Sequence, residues 1–260
     1  MSPQPASAPI VRVEGLTAGY DGNVLMRDVS FAVNRGEVFV ILGGSGSGKS
    51  TLLKHMIGLY EPMAGHVFIN DADIVTAEGA AREAILRMFG VTYQSGALFG
   101  SMTLLENVRL PLEVYTVLPQ PAMDLIARMK LELVGLEVFC GHMPSEISGG
   151  QQKRAAIARA MALDPGILFL DEPSAGLDPI TSAELDALIL RLVASLGITF
   201  VIVSHELASI YAIADRVIML DKRSQGIVAE GDPQVLRDSS DNPLVRKFFR
   251  REVEDATEKA

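Results

Sequence analysis

The sequence predicts an α/β protein: a mainly parallel sheet flanked by helices, with a small antiparallel layer beside it and a helical insertion on one side. Three observations carry that expectation. Continuous apolar, β-branched runs occur at residues 38–42 (VFVIL), 167–170 (ILFL) and 199–203 (TFVIV), as strands buried on both faces require. Helical patterns separate these runs, which is what parallel strands need for their crossovers. Between the first and second runs, apolar residues recur at helical spacing from Leu104 to Leu136.

Residues 1–9 are Pro/Ala/Ser-rich and are expected to form a flexible N-terminus. Alternation over Ile10-Val11-Arg12-Val13-Glu14-Gly15-Leu16 predicts a half-exposed strand, broken at Gly19-Tyr20-Asp21-Gly22. Val29-Ser30-Phe31-Ala32-Val33 supplies another strand, and Arg35-Gly36-Glu37 turns the chain into the buried run at 38–42. A helix follows over 52–57, then a Pro/Gly turn at 61–65 and extended chain at 66–70. Residues 78–88 predict a helix, and 89–93 a strand ending at Gln94. The helical insertion is read as interrupted at Pro111, Pro119 and Pro121, and it ends near Ser148-Gly149-Gly150. A helix over 151–163 bears Lys153, Arg154 and Arg159 and is closed by Asp164-Pro165-Gly166. Another spans roughly 179–196, further strands lie in 216–230, and short helices lead to a charged C-terminal tail placed at 242–260, expected to fray.

Composition limits the function classes. The chain has 260 residues, 48% hydrophobic and 21% charged, so it is long enough for a sizeable core and is not disordered throughout. A net charge of −9 argues against a general nucleic-acid binder, and no nucleic-acid partner is expected. Cys140 is the one cysteine, which rules out an intrachain disulfide or a multi-cysteine metal site. The first ten residues carry neither a cationic nor an apolar signal region, and no apolar run reaches the roughly 18 residues of a membrane span, so the chain is expected to be soluble by itself. A mean hydropathy of +0.27 fits a buried partner surface and a well-filled core equally.

The chemistry concentrates at Gly43-Gly44-Ser45-Gly46-Ser47-Gly48-Lys49-Ser50-Thr51, which fits G-x-x-x-x-G-K-S/T between a buried strand and a helix. Glycines allow backbone N–H groups to face a polyphosphate at the positive end of the helix; Lys49 would reach the β- and γ-phosphates and Ser50 would ligate Mg²⁺. A flexible Gly/Ser turn is the plain alternative, but it requires neither Lys-Ser at this offset nor a buried strand in front. Asp171 and Glu172 end the second buried run: Asp171 can hold Mg²⁺, and Glu172 can orient or deprotonate water. Glu172 could instead cap the turn at Pro173. His205 follows the third buried run and Gln94 ends another strand, both where the carboxyl ends of parallel strands converge; His205 could sense the γ-phosphate, and Gln94 could touch Mg²⁺ or the water. His55, His66 and His142 lack such placement and are read as structural. Ile147-Ser148-Gly149-Gly150-Gln151 opens a helix with glycines and an exposed serine, a second anion-binding N-terminus.

These motifs, in this order, resemble the ATPase subunit of ATP-binding cassette (ABC) transporters over roughly residues 10 to 235. The resemblance implies a P-loop NTPase (RecA-like) core with an antiparallel β subdomain, together spanning residues 10–241, and a helical subdomain inserted at about 96–160. It implies ATP and Mg²⁺ as cofactors. Tyr20 matches the aromatic that stacks on adenine, the alternative being a turn tyrosine packed on the small layer. Ser148, Gly149, Gly150 and Gln151 match the signature that binds ATP held by a second copy of the chain, and Asp178 matches the loop linking the two sites. Ile147 replaces the usual leucine, a volume-conserving change. The resemblance also implies a membrane permease partner, contacted by the region from Gln94 to Leu112. Gln94-Ser95-Gly96-Ala97-Leu98-Phe99, Pro179-Ile180-Thr181 and Val245-Arg246-Lys247-Phe248 look like the ATPase of Mla/Mce-type lipid transporters. That subfamily implies phospholipid traffic between inner and outer membranes, a lipid-binding Mce-type partner, and a peripheral location on the cytoplasmic face of the inner membrane. Two features depart from it: Ala175-Gly176-Leu177-Asp178 is the general cassette form, and Gly44 stands where proline is common. An importer or exporter of another solute remains the first alternative, and a non-transport cassette protein the second.

Overall fold

The computed structural model describes residues 8–20 and 22–250. Residues 1–7 of the expected flexible start, Asp21 of the expected break and residues 251–260 of the expected tail lie outside the described residues.

A four-stranded antiparallel sheet forms first. β1 (Val11–Tyr20) pairs on one side with β2 (Asn23–Val33) and on the other with β4 (Ala64–Ile69), which continues to the two-residue β5 (Ala72–Asp73). Register shifts in β1 let the strand run through to Tyr20, longer than the alternation predicts, because Gly15 at φ 59° absorbs an irregularity instead of ending the strand.

The second sheet has six strands in the order β10-β9-β3-β8-β7-β6. β3 (Val38–Gly43) sits between β8 (Thr199–Val203) and β9 (Arg216–Asp221), parallel to both. β7 (Ile167–Asp171) and β6 (Phe89–Thr92) continue the parallel pairing, and only β10 (Gly226–Gly231) runs antiparallel. Every residue of β3, β7 and β8 is buried. Alternate residues nevertheless serve different cores: Phe39, Ile41, Phe169 and Val201 pack toward the antiparallel sheet, while Val38, Val40, Leu42, Leu168 and Phe200 pack toward the helices. A parallel strand covered on both faces therefore shows an unbroken apolar run in sequence.

α1 (Lys49–Met56) follows β3, and α2 (Gly79–Leu86) precedes β6. α3 (Leu104–Tyr115), α4 (Gln120–Leu133) and α5 (Gly149–Ala160) make the helical insertion and share one continuous core with α6 (Pro179–Leu196) and α7 (Leu207–Ile213). Pro111 does not interrupt α3, contrary to the sequence reading; the helix runs through it after a full capping box at Thr103 and Glu106. Pro119 and Pro121 instead fall at the start of α4, where a missing N–H costs no helical bond. α8 (Pro233–Ser239) and α9 (Pro243–Arg250) close the described chain. The tail boundary at 242 needs correction: Val245 and Phe249, one turn apart on α9, are 0% and 3% exposed and belong to the larger core.

Candidate functional site

Parallel pairing brings the carboxyl ends of β3, β6, β7 and β8 to one edge of the sheet, and the chain leaves β3 with β8 on one flank and β9 on the other. That is where an open α/β sheet forms its ligand crevice. A cavity of about 300 Å³ lies there, lined by Tyr20, Leu25, Gly46, Gly48, Lys49, Ser50, Thr51, Gln94, Glu172 and His205. A wider groove of about 600 Å³ holds Lys54, Tyr93, Gln94, Ser95, Asp171, Ala175 and Gly176, so Gln94 belongs to both.

The glycine loop is built to leave a helix end open. Gly48 is the N-cap of α1 at φ 95°, in the left-handed region, and no side chain caps the helix. The first-turn amides of α1 have no carbonyl one turn back, so their donors are available to an anion. Gly44, Ser45 and Gly46 are exposed, whereas Ser47 turns inward, 5% exposed and with no hydrogen-bond partner for its Oγ among the described residues. A Cβ at Gly43 would lie 2.4 Å from the Leu220 carbonyl oxygen and 2.7 Å from that Oγ, so only glycine fits. Lys49 folds back on the loop, its Nζ donating to the carbonyls of Gly43 at 2.9 Å and Gly44 at 3.2 Å. Burial lowers its pKa, against the opposing pull of Glu172 and Asp171. A desolvated ammonium resting on two carbonyls gains by turning to a phosphate.

Opposite the loop, the Ser50 hydroxyl donates to Asp171 Oδ1 at 3.0 Å. Burial raises the Asp171 pKa; the Ser50 hydrogen bond lowers it, Glu172 raises it, and Lys54 and Lys49 lower it. A hydroxyl and a buried carboxylate are hard oxygen donors of the kind Mg²⁺ takes. No group of three or more His, Cys, Asp or Glu placed to hold a metal ion occurs among the described residues. Gln94 is exposed and lines both cavities, the one that holds Ser50 and the one that holds Asp171.

Glu172 sits at φ 49°, an uncommon conformation for a non-glycine residue, held by its N–H donating to the Val203 carbonyl at 2.9 Å. Its Oε1 is 2.8 Å from His205 Nδ1. A carboxylate only accepts, so Nδ1 carries the proton and Nε2 is left for another partner. Tyr20 is 52% exposed, which leaves a ring face free at the cavity mouth.

The other predicted residues are elsewhere. Ser148, Gly149, Gly150, Gln151 and Asp178 do not line this cavity. Ser148 is the N-cap of α5: its Oγ accepts from Gln151 N at 3.3 Å, and Gln151 Oε1 accepts from Ser148 N at 2.8 Å. A capping box thus occupies two amides of this helix end, those of Ser148 and Gln151, and leaves the first-turn amides of Gly149 and Gly150 open. Asp178 caps α6, Oδ1 accepting from Ile180 N at 3.0 Å and Thr181 N at 3.1 Å. Gly150 packs closely on that turn, since a Cβ there would lie 2.3 Å from Thr181 Cγ2.

Two residues escaped the site reading. Lys153, noted only as a helix cation, donates to the backbone carbonyls of Gln94 and Glu172. Leu25 lines the cavity from β2. Neither belongs to a local motif, and only the third dimension reveals them.

The sequence pattern of the family described as "ABC transporter" matches residues 26–175. The chain is 40% identical over 239 residues to the "Probable ribonucleotide transport ATP-binding protein mkl" of Mycobacterium leprae, covering 92% of this chain and 68% of that protein. For the mkl proteins of Mycobacterium bovis and M. tuberculosis the covered share is 66% of their length. It is 41% identical over 223 residues to the "Intermembrane phospholipid transport system ATP-binding protein MlaF" of Escherichia coli K12, covering 85% of this chain and 81% of that protein. Among solved structures, cbiO1 of Clostridium perfringens, part of the ABC transporter complex cbiONQ, superposes with a TM-score of 0.79 at 29% identity, covering 87% of this chain and 89% of that one. The dimeric bacterial ABC transporter cassette MJ0796 gives 0.76 at 30% identity, covering 85% and 98%.

Proposed function

The chain belongs to the ABC transporter family as an ATPase subunit, and from that premise we propose that two copies close on ATP and drive a permease that moves phospholipid between the inner and outer membranes. The similarity to the intermembrane phospholipid transport protein, across most of both chains, carries the cargo reading. The alternative, a different cargo such as a ribonucleotide, is supported by the similarity to the mkl protein, of which this chain spans about two thirds.

In this reading ATP lies with its base on Tyr20 and its phosphates over the first turn of α1. Lys49 leaves the carbonyls of Gly43 and Gly44 for the β- and γ-phosphates. Ser50 and Asp171 would hold Mg²⁺, which when bound offsets phosphate charge. Glu172 accepts a hydrogen bond from, and orients, the attacking water, while His205 Nδ1–H holds its carboxylate in place. Gln94 faces the same water from the rim. Ser148, Gly149 and Gly150 of the second copy complete the phosphate cradle, with Asp178 between the two sites. The surface from Gln94 to Leu112 meets the permease, a lipid-binding Mce-type protein belongs to the same complex, and the subunit works on the cytoplasmic face of the inner membrane. No helix among the described residues is long and apolar enough to cross a membrane, so a separate membrane-spanning partner is part of the proposal.

Glu172→Gln is expected to cut ATP turnover by about 100-fold or more while ATP stays bound, since one oriented carboxylate of this kind contributes factors of that order. Near-normal hydrolysis in that variant would remove Glu172 from its role. The cargo is tested with the intact complex in vesicles: ATP-dependent transfer of labelled phospholipid supports the reading, and ATP-dependent nucleotide movement without lipid transfer replaces it.

A further inference from the structure

Four backbone carbonyls near the site are held by cations from a single helix. Lys153 of α5 donates through Nζ to the Gln94 carbonyl and, at 3.5 Å, to that of Glu172. Six residues farther on, Arg159 donates to the Ala97 carbonyl at 2.7 Å and to that of Gly96 at 3.2 Å. α5 therefore grips the loop after β6 at three carbonyls and the residue after β7 at one. Two of the gripped residues, Glu172 and Ala97, have φ of 49°, a conformation that needs outside support in non-glycine residues.

Lys153 differs from Arg159 in what it reaches. Its two acceptors belong to the two residues placed at the attacking water, and it lies only five residues beyond Ser148, about 7–8 Å along the helix axis. The ammonium bonds to their backbone carbonyls and not to their side chains. It acts on peptide planes, and the plane at Glu172 sets the direction in which that side chain leaves the backbone. Burial lowers the Lys153 pKa, with Asp171 and Glu172 opposing.

We propose that Lys153 is a positioning residue: it fixes the peptide planes at Gln94 and Glu172, and so links the helix end bearing Ser148 to the two groups that face the attacking water. This rests on the ATPase reading of the site. When a second copy's nucleotide engages Ser148, any shift of α5 is delivered through Lys153 to the chain's own Glu172.

The test uses the full chain and the variants Lys153→Met and Lys153→Arg. Met keeps length and removes charge and donors; Arg restores both. In Lys153→Met, kcat is expected to fall about 10- to 100-fold, the range for an ångström-scale misplacement of a reacting group. ATP affinity should stay within about twofold, because no contact with the phosphate loop is lost. Lys153→Arg should recover most of kcat. Hydrogen exchange on the nucleotide-free chain gives a readout independent of turnover: amides at 94–97 and 172–176 should exchange faster in Lys153→Met and return toward wild type in Lys153→Arg. Unchanged kcat, or unchanged exchange at both segments, overturns the proposal. So does a loss of kcat that Arg fails to restore while the melting temperature falls, since that marks a purely structural lysine. If the wild-type chain shows no ATP turnover while the exchange result holds, the ATPase reading fails and the tether stands.

Discussion

The N-termini of α1 and α5 look alike in sequence, each opened by serine and glycine, and the folded chain treats them oppositely. α1 begins at a left-handed glycine with no side-chain cap, facing a cavity. α5 begins at Ser148, whose side chain and that of Gln151 satisfy each other's backbone. The first end is a receptor already open in one chain. The second is partly capped: Ser148 is engaged with Gln151, and the amides of Gly149 and Gly150 remain for a phosphate held outside this chain's own cavity. Binding by one copy should therefore depend on α1, and assembly of two copies on α5.

The largest effect expected from this contrast is at Lys49. Lys49→Ala removes a charged donor from the open end, and a charge-assisted hydrogen bond of about 1.5–3 kcal/mol corresponds to a loss of ATP affinity of about 10- to 150-fold in a single chain. Titration of the monomer with a fluorescent ATP analogue measures it. Affinity within twofold of wild type would mean that the loop amides alone hold the phosphates.

Next in size is Ser148→Ala. Loss of an N-cap costs about 1 kcal/mol, or about 2–4 °C in melting temperature at this chain length. Monomer ATP affinity should be unchanged, while ATP-driven dimerisation, read by light scattering in the Glu172→Gln background, should weaken. A drop in monomer affinity would place Ser148 in its own chain's site and erase the distinction between the two ends.

How far the sequence discloses this contrast differs by residue. Gly43 to Thr51 is legible because strand, loop and helix are contiguous, so the local order already fixes which donors face outward. Asp171, Glu172 and His205 are legible from their place after buried runs, since parallel pairing sends such ends to one edge. Ser148-Gly149-Gly150-Gln151 also spells a capping box, serine followed three residues later by glutamine, which takes the Gln151 amide and leaves those of Gly149 and Gly150 open. Val245 and Phe249 stand one turn apart in a basic stretch and read as tail, because the core they join is assembled from distant parts of the chain; Phe249, for one, meets Tyr211 of α7. Lys153 is invisible for a related reason: its acceptors are backbone carbonyls, which every residue has.

The smallest expected effect has the opposite sign from Ser148→Ala, and it probes the open end from across the cavity. Asp171 is 8% exposed, and its pKa is raised in the fold, first by burial. A raised pKa means that the native state binds the proton more tightly than the unfolded chain does. Its stabilising contribution is therefore present below the unfolded carboxyl pKa and is lost as pH rises through the folded one. At neutral pH the nucleotide-free protein carries a buried carboxylate that Ser50, Lys54 and Lys49 only partly offset. Asp171→Asn removes that charge while keeping an acceptor for the Ser50 hydroxyl. The nucleotide-free variant should melt higher than wild type at pH 7, by about 1–2 °C for a gain near half a kcal/mol. The advantage should shrink as pH falls through the raised Asp171 pKa, where the wild-type side chain becomes neutral too. With Mg²⁺ and ATP present the order should reverse, because only the wild type offers a carboxylate to the ion. Scanning calorimetry from pH 7 downward, with and without Mg²⁺ and ATP, measures both. An Asp171→Asn variant that melts lower than wild type at pH 7 without nucleotide would show that the carboxylate already stabilises the empty site, and that the end facing α1 is no more open than that of α5.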